Sequence, residues 1–357
     1  MTSTAETPID ATLVGTVHTT GSVTPLTGGR LALTDDGRLE IHDARTFLSG
    51  ALAPLRTLPL PPRSTAAALE DGAIVCEAAG VRRVTADGKT LWELPHTPWH
   101  GCHDEPRPPG PPAPHPGGGL VSVLVPTLAV GGTATARPGG GASGLPYGND
   151  TLLLLDTESG RIRARRPIGG ISSVATQRWR PDGALLALSS WTAWYSWTSW
   201  WIEPRRDGLH IRGTTTMREI IDFLPRPPGG GPDAPPQLLT LRRAERIAAN
   251  DDRNELAAHD VAADEPTALY DLARLTTGRD SDEFDGAFLL DDRHLLVTGR
   301  TYPPGRPAVI RHWLCDAATL RPLGRVRYPA PVGWVTPLGD GTWLTRHTGG
   351  LRRWSLP

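Results

Sequence analysis

The chain has 357 residues, with 37 lysines and arginines against 38 aspartates and glutamates, and its formal net charge is −1. This length can bury a large core, in one all-β domain or in two average domains. The near-neutral charge provides no global field for a polyanion, so we expect neither nucleic acid nor a membrane as a partner. Lys89 is the only lysine, an arginine bias typical of a GC-rich bacterial genome.

The N-terminus and the cysteines indicate a cytoplasmic protein. MTSTAETPIDATLVG lacks the positive region and apolar stretch of a secretory signal. No apolar run reaches the ~18 residues that span a bilayer. Cys76, Cys102 and Cys315 are widely spaced, which suits a reducing compartment better than a disulfide framework. We also expect the protein to be monomeric.

The two ends of the chain carry the same unit. VTPLTGGRLALTDDGRLEIHD, beginning at Val23, aligns without a gap on VTPLGDGTWLTRHTGGLRRWS, beginning at Val335. Between them, pairs of apolar strands are separated by turns at Gly72, Gly183 and Arg293. Two further copies are implied by GLVSVLVPTLAV and QLLTLRRAERIAAND, so the chain contains seven units.

Short strands at this spacing, with Gly and Asp turns, predict an all-β, seven-bladed β-propeller. The last unit stops at Pro357 after three strands. Residues 10–19, DATLVGTVHT, precede the first unit and can supply the missing outermost strand, which would close the ring. We therefore predict one propeller domain that spans residues 1–357.

Two segments resemble known propeller families. LLLLDTESGRIRARRPIGGISSVATQRWRPDGALLALSS, residues 152–190, is similar to WD-repeat propellers. DGKTLWELP, residues 87–95, resembles a strand pair of quinoprotein-like propellers. The resemblance covers nearly the whole chain and implies architecture alone, because propellers include both enzymes and binding scaffolds.

The long insertions are predicted to share one face. We label the four strands of a blade a to d. In such a meander, the b–c loops and the connections to the next blade lie at one end, and the a–b and c–d turns, which are short here, lie at the other. The long segments fall in the first class; they are 96–119 (blade 2 to 3), 131–150 (b–c of blade 3), 191–201 (b–c of blade 4), 214–236 (blade 4 to 5) and 300–307 (b–c of blade 6). Long loops on a compact scaffold are often functional.

The connection between blades 2 and 3 contains a histidine-rich motif, HTPWHGCHDE. His100, His103 and Cys102 are candidate ligands of a divalent metal such as zinc, and Asp104 and Glu105 lie beside them. A His-x-x-His on a loop lacks helical geometry, and WD-repeat propellers often use a histidine here to hydrogen-bond within a blade. The motif also resembles arylsulfotransferase-like propellers, which carry a histidine-rich loop after a DGxxxW strand.

WTAWYSWTSWW, residues 191–201, holds five of the twelve tryptophans. A two-residue turn at Tyr195 and Ser196 would place Trp194 opposite Trp197 and Trp191 opposite Trp200. Side chains alternate faces along a strand, so the remaining tryptophan, at position 201, would join the 194/197 pair. An extended hairpin cannot bury both faces, so we expect one aromatic face to be exposed.

Two other segments of the same predicted face stand out. Thr216 and Glu219 form a capping box, which predicts a helix through residue 224. SDEFDG opens strand a of blade 6 and carries Glu283 and Asp285 near the channel mouth.

Our leading hypothesis is a binding scaffold that recognises a protein segment or a small ligand on the loop-rich face. The candidate binding residues are Trp99, Trp191, Trp194, Tyr195, Trp197, Trp201, Glu283 and Asp285. The alternative is a metal- or histidine-dependent enzyme at the channel mouth, with His100, His103, Asp104 and Glu105 as catalytic residues. In its metal-dependent form, His100, His103 and Cys102 hold the metal.

Overall fold

The fold is nearly all β in the computed structural model. The structure describes residues 7–26, 28–35, 37–99, 107–128, 147–169, 172–192, 197–225, 236–243, 254–261, 265–275, 282–302 and 307–357. Seven sheets follow one another along the chain, and the four successive strands of each are antiparallel. The chain is a seven-bladed β-propeller, as the repeat predicts.

The strands of each blade are given in the order a to d. Two strands precede the first blade: β1 (Ile9–Asp10) and β2 (Thr12–Val17). Blade 1 has β3 (Ser22–Leu26), β4 (Arg30–Asp35), β5 (Arg38–Asp43) and β6 (Arg56–Pro59), with helix α1 (Ala44–Leu48) before β6. Blade 2 has β7 (Thr65–Leu69), β8 (Gly72–Cys76), β9 (Gly80–Thr85) and β10 (Thr90–Pro95). Blade 3 has β11 (Ala113–Pro114), β12 (Leu120–Leu128), β13 (Tyr147–Asp156) and β14 (Ile162–Pro167).

The remaining blades repeat the pattern. Blade 4 has β15 (Ser172–Trp179), β16 (Leu186–Thr192), β17 (Trp197–Arg205) and β18 (Gly208–Thr216). Blade 5 has β19 (Glu219–Leu224), β20 (Gln237–Arg242), β21 (Glu255–Asp260) and β22 (Glu265–Asp271), followed by a 3-10 helix at Leu272–Leu275. Blade 6 has β23 (Asp282–Leu289), β24 (His294–Thr301), β25 (Val309–Asp316) and β26 (Pro322–Arg327). Blade 7 has β27 (Val335–Pro337), β28 (Trp343–His347) and β29 (Gly350–Ser355), with β2 as its fourth strand.

The chain divides into two compact units, and the division passes through blade 1. The first comprises Met1–Leu33, His42–Leu55 and Ile220–Pro357. The second comprises Thr34–Ile41 and Arg56–Glu219.

In the first unit, apolar side chains of successive sheets form the core. One cluster centres on Leu239, Leu256 and Trp313 and another on Trp343 and Trp354. Leu238 beside Leu239 and Leu314 beside Trp313 are buried as well. Because successive residues of a strand point to opposite faces, both faces of these central strands are buried.

The N-terminal strand completes blade 7. β2 pairs antiparallel with β29, with Thr12 opposite Ser355 and Val17 opposite Leu351. The Val17 side chain is fully buried in a cluster with Leu344. The predicted closing strand at residues 10–19 is therefore confirmed.

In the second unit, two clusters fill the space between sheets. Ile74, Val121 and Leu155 belong to the first, and Leu152 and Trp200 to the second. Between them, these clusters join blades 2, 3 and 4.

The predicted helix after Thr216 is wrong. Residues 219–224 form β19, strand a of blade 5. Met217 has a φ of 61°, in the left-handed region, which a helix cannot accommodate. Its amide donates to the Trp197 carbonyl, at 2.6 Å, so the chain is held to blade 4 until β19 begins. Pairing in the sheet therefore outweighs the local capping signal.

The strand assignment also divides one predicted insertion. Residues 214–216 end β18, and residues 219–224 form β19, so the 214–236 segment is not one continuous loop. Residues 226–235 lie outside the described residues, and the placement of this insertion with the other long loops stays a prediction. Two smaller differences are that the 96–119 connection includes β11 and that the c–d segment of blade 1 contains α1.

Candidate functional site

The histidine-rich motif falls largely outside the described residues. His100, Cys102, His103, Asp104 and Glu105 all lie there, so their catalytic and metal-binding roles remain predictions. Within the described ranges, no group of three or more His, Cys, Asp or Glu side chains is arranged to hold a metal ion.

The described neighbours of the motif have structural roles. Trp99 is buried in the cluster that contains Leu152 and Trp200. The His96 ring packs edge-on against Trp99, and burial lowers the pKa of His96. His115 accepts a hydrogen bond from the Gly117 amide at Nδ1, so its Nε2–H donates to the Gly183 carbonyl at 3.2 Å. Trp99, proposed as a ligand contact, is thus part of the core.

The metal alternative makes a direct prediction. If His100, His103 and Cys102 hold zinc, purified protein should contain about one zinc ion per chain, since structural and catalytic zinc sites bind tightly. His100→Ala with His103→Ala should remove that metal, whereas His210→Ala, a change on strand β18 outside the motif, should retain it. Elemental analysis of the three proteins measures this. Metal-free wild-type protein would eliminate the alternative.

The tryptophan hairpin has a different register from the predicted one. Trp191 lies opposite Trp197, and Leu188 lies opposite Trp200. Trp191 therefore pairs with a residue three positions earlier than predicted, and such a shift of register reassigns every cross-strand pair. Trp194 and Tyr195 lie outside the described residues.

This register buries most of the aromatic surface. Trp191, Trp197 and Trp201 share one face of the sheet, and Trp200 lies on the other. Residues 197, 200 and 201 are at most 8% exposed. The Trp201 ring lies over Gly213, where an added Cβ would be 2.2 Å from the ring. The exposed aromatic wall predicted from Trp197 and Trp201 is therefore wrong: both belong to the blade interior, and Trp191 is half-buried.

The two acidic residues predicted in blade 6 do lie together, in a network that the sequence did not reveal. Asp285 sits at an irregularity in the pairing of β23 with β24, and such bulges redirect a side chain. Its carboxylate accepts two hydrogen bonds from Arg300, from Nε and Nη2, each 2.6 Å long. This bidentate pair raises the pKa of Arg300 above its usual range and fixes the guanidinium plane.

Glu283, on β23, lies directly opposite Arg300, on β24. Its carboxylate accepts a hydrogen bond from the Tyr302 hydroxyl, at 2.9 Å. Arg300 Nη1 donates in turn to the same hydroxyl, at 3.3 Å. Two carboxylates, one guanidinium and one phenol therefore form a continuous network at the b–c end of blade 6.

Trp334 completes this cluster from the connection between blades 6 and 7. The Arg300 Cζ atom lies 5.1 Å from the centroid of the Trp334 ring, a cation–π contact. The backbone of the connection is held on both sides of the ring, because the Gly333 amide donates to the Arg346 carbonyl and the Arg346 amide donates to the Trp334 carbonyl. The ring is therefore positioned by its backbone and by Arg300.

The start of the same connection is fixed as well. Trp343 Nε1 donates to the Tyr328 hydroxyl at 3.1 Å, so that hydroxyl donates to Nδ1 of His312 at 2.6 Å. Burial lowers the pKa of His312 to about 3, which keeps its imidazole neutral and able to accept this bond.

We call Glu283, Asp285, Arg300, Tyr302 and Trp334 the blade-6 patch. Although its polar groups are paired, its aromatic rings remain in contact with solvent: Trp334 is 49% exposed and Tyr302 is 37% exposed. Fixed, exposed Trp, Tyr and Arg side chains are the residue types that dominate binding energy at interfaces. The blade-6 patch therefore presents residue types that are common at binding surfaces.

A second polar cluster, in the other unit, is buried. Asp150 is fully buried, and its Oδ2 accepts a hydrogen bond from the Ser172 amide, at 2.7 Å. Its Oδ1 has no hydrogen-bond partner in the described structure. Burial raises the pKa of Asp150 to about 7. Ser172 Oγ and Ser190 Oγ lie 2.6 Å apart, so this cluster joins β13 to β15 and β16 through polar contacts.

The comparisons with known proteins identify the architecture. No protein-family model matches the chain, and no curated protein matches it. Solved structures do match. BamB from Moraxella catarrhalis superposes with a TM-score of 0.56 and 11% identity, over 97% of this chain and 100% of that chain. The β-propeller domain of Cps50 (Swd1) from Myceliophteria thermophila has a TM-score of 0.53 and 14% identity, over 97% of this chain and 100% of that one.

A third match is the WD40 domain of Toxoplasma gondii coronin, with a TM-score of 0.52 and 14% identity, over 99% of this chain and 85% of that chain. The likeness to WD-repeat and quinoprotein-like propellers is therefore confirmed as a likeness of fold. No helix in the described ranges is long and apolar enough to cross a membrane.

Proposed function

We propose that this propeller is a binding scaffold whose blade-6 patch docks a segment of a partner protein. The observation that carries the proposal is that two aromatic rings are exposed yet held in place by hydrogen bonds, an ion pair and a cation–π contact. A partner that covers Trp334 and Tyr302 gains apolar burial without ordering these side chains first.

The polar members of the patch serve this role indirectly. Asp285 neutralises Arg300 and Glu283 holds the Tyr302 hydroxyl, so the aromatic groups keep one orientation. Pre-organised aromatic residues with few rotatable bonds are efficient binding groups for this reason. Small ligands remain a second type of occupant, to be distinguished by what is captured.

We further propose that the protein works in a reducing compartment, the cytoplasm. Cys76 and Cys315 support this, because both are free thiols buried in the described structure. Burial raises the pKa of Cys76 to about 12, so this thiol stays protonated and inert.

Replacing Trp334 by alanine should weaken partner binding at least about tenfold, because a truncated hot-spot residue typically costs more than 1 kcal/mol. Immobilised wild-type protein and Trp334→Ala can be compared by quantitative affinity capture from cells that express the protein. Leu323→Ala is the matched control, since Leu323 is a similarly exposed apolar side chain on the outermost strand of the same blade.

We expect Leu323→Ala to retain the partner that Trp334→Ala loses. Thermal unfolding should be nearly the same for all three proteins, because substitutions of exposed side chains usually change stability by less than about 1 kcal/mol. Identical sets of captured proteins from wild type and Trp334→Ala would contradict the proposal.

A further inference from the structure

The outermost strand of blade 3 has an unusual concentration of charge. β14 and the residue before it read RIRARRP, and most of these side chains are exposed. Arg163 pairs with Asp156 through Nε and Nη2. Within the described residues, the side chains of Arg161, Arg165 and Arg166 have no carboxylate partner. β14 therefore carries two guanidinium groups without a carboxylate partner, and Arg161 just before it adds a third, on a chain whose net charge is −1.

The outer edge of β14 has no paired strand among the described residues, although β14 lies beside β18 of blade 4. Within its sheet, β14 pairs only with β13, and no described strand pairs with its other side. On such an edge strand, every second residue directs its N–H and C=O groups outward. β14 therefore offers backbone hydrogen-bonding groups and positive charge along the same line.

Blade 6 shows what an edge of this kind can bind. There, β1 adds to the outermost strand, β26, in parallel, with Ile9 opposite Val326 and Asp10 opposite Arg327. The Asp10 carboxylate accepts two hydrogen bonds from Arg327, each 2.8 Å long. The Ala11 amide donates to the Arg327 carbonyl on the open side of the strand. An extended segment of the chain itself, with one aspartate paired to an arginine, thus extends this blade.

β14 and β26 are built alike. Both follow a turn in which an aspartate, Asp156 or Asp316, accepts hydrogen bonds from a hydroxyl residue three positions later. Both have an irregularity at the same point, and Arg165 occupies the position of Arg325. The Arg327 carbonyl faces the open side of β26, so the backbone groups of Arg325, two positions earlier, face that side as well. Because Arg165 matches Arg325, we expect the backbone groups of Arg165 to point outward from β14.

We propose that β14 binds an acidic, extended segment of a partner protein as an added fifth strand of blade 3. The backbone of residue 165 provides ladder hydrogen bonds, and the exposed arginines pair with carboxylates on the incoming strand. Strand addition derives affinity from the main chain and specificity from alternating side chains. A nucleic acid could use the charge but not the backbone groups, so a polypeptide fits this surface better.

The test uses a fluorescein-labelled peptide of about ten residues, roughly two strand lengths, that alternates glutamate with valine. We expect fluorescence anisotropy to detect binding to the full-length protein. Arg165→Glu with Arg166→Glu should weaken this binding at least about tenfold, because like charges then face each other. Arg293→Glu with Arg321→Glu makes the same change in net charge at exposed positions of blade 6 and should change binding less than about twofold.

A second peptide separates strand addition from charge attraction. It has the same sequence but is N-methylated at alternate residues, so it keeps its carboxylates and cannot complete a ladder. We expect it to bind at least about tenfold more weakly. Equal binding of the two peptides, equal losses in both double variants or no binding by the wild type would overturn the proposal. So would a single-stranded oligonucleotide that binds β14 more tightly than the peptide. If the glutamate variant does not fold, Arg165→Gln with Arg166→Gln provides the same comparison.

Discussion

Deleting residues 2–17 should largely unfold the first unit, although β2 lies far in sequence from β29, with which it pairs. The deletion removes β2 from blade 7, exposes the edge of β29 and empties the place of the buried Val17 side chain. Burial of one valine contributes about 1.5–3 kcal/mol, and each lost backbone hydrogen bond about 0.5–1.5 kcal/mol. The total, about 5 kcal/mol or more, approaches the whole stability of a typical protein.

A permuted chain provides the control. Thr12 pairs with Ser355, so β2 begins where β29 ends. In the permuted chain, residues 7–20 are moved to the C-terminus and joined to Pro357 by a short Gly-Ser linker. β2 should then form a hairpin with β29 and keep the same pairing. Urea unfolding followed by tryptophan fluorescence should show a strongly destabilised deletion and a rescued permutant. A deletion as stable as the wild type would mean that the N-terminal strand does not complete the blade.

Asp150→Asn should stabilise the protein at alkaline pH and have little effect in acid. Burial raises the pKa of Asp150 to about 7 in the folded chain, against an unfolded value of 3.8. Between these values the folded state binds the additional proton, so stability falls as pH rises from about 4 to about 7 and is constant above that. The loss is on the order of 4 kcal/mol, at 1.36 kcal/mol per pKa unit.

Asparagine is nearly isosteric and stays neutral, so it avoids the cost of a buried carboxylate while it can still accept from the Ser172 amide. Urea unfolding near pH 8 and near pH 5 measures the difference. The matched control is Asp156→Asn. Hydrogen bonds from Arg163 and Ser159 lower the pKa of Asp156. At neutral pH, Asp156→Asn should therefore be less stable than the wild type. The difference in stability should shrink as pH falls through the pKa of the folded state. If Asp150→Asn were equally destabilised at both pH values, burial of its charge would not be the controlling effect.

The architecture was predictable because the repeat records the turn chemistry. Gly29 and Gly341 occupy matching positions of the terminal units and have φ values of 68° and 79°. Gly37 and Gly349 also match, at 78° and 86°. Turns that require a left-handed residue leave a glycine in the sequence, and their spacing then fixes the strands between them.

Local signals were less informative where they conflicted with pairing between strands. Thr216 and Glu219 are suitable helix-capping residues, but the sheet of blade 5 needs its inner strand there. The tryptophan hairpin has no Gly or Asn to mark its turn, so its register could not be derived from sequence. A wrong turn position then assigned the wrong residues to each face.

The blade-6 patch was predictable only in part. Glu283 and Asp285 stand out because they lie two positions apart in an acidic strand. Arg300, Tyr302 and Trp334 come from other strands and are brought to them by the pairing of β23 with β24 and by the connection after β26. The sequence signal for these three residues was weak. It consisted of Arg300 and Tyr302 at the end of one strand and Trp334 just before the VTP of the next blade.

The most direct test of the scaffold proposal is photocrosslinking from the patch in living cells. A benzoylphenylalanine residue replaces Val309, which is 43% exposed and lies opposite Thr301 at the b–c end of blade 6, and leaves the patch residues unchanged. The control places it at Leu323, which is 46% exposed on the outermost strand. We predict a discrete crosslinked partner from position 309 that is absent from position 323 and is lost when Trp334→Ala is added. No product from position 309, or the same products from both positions, would contradict the proposal that this patch is the docking site.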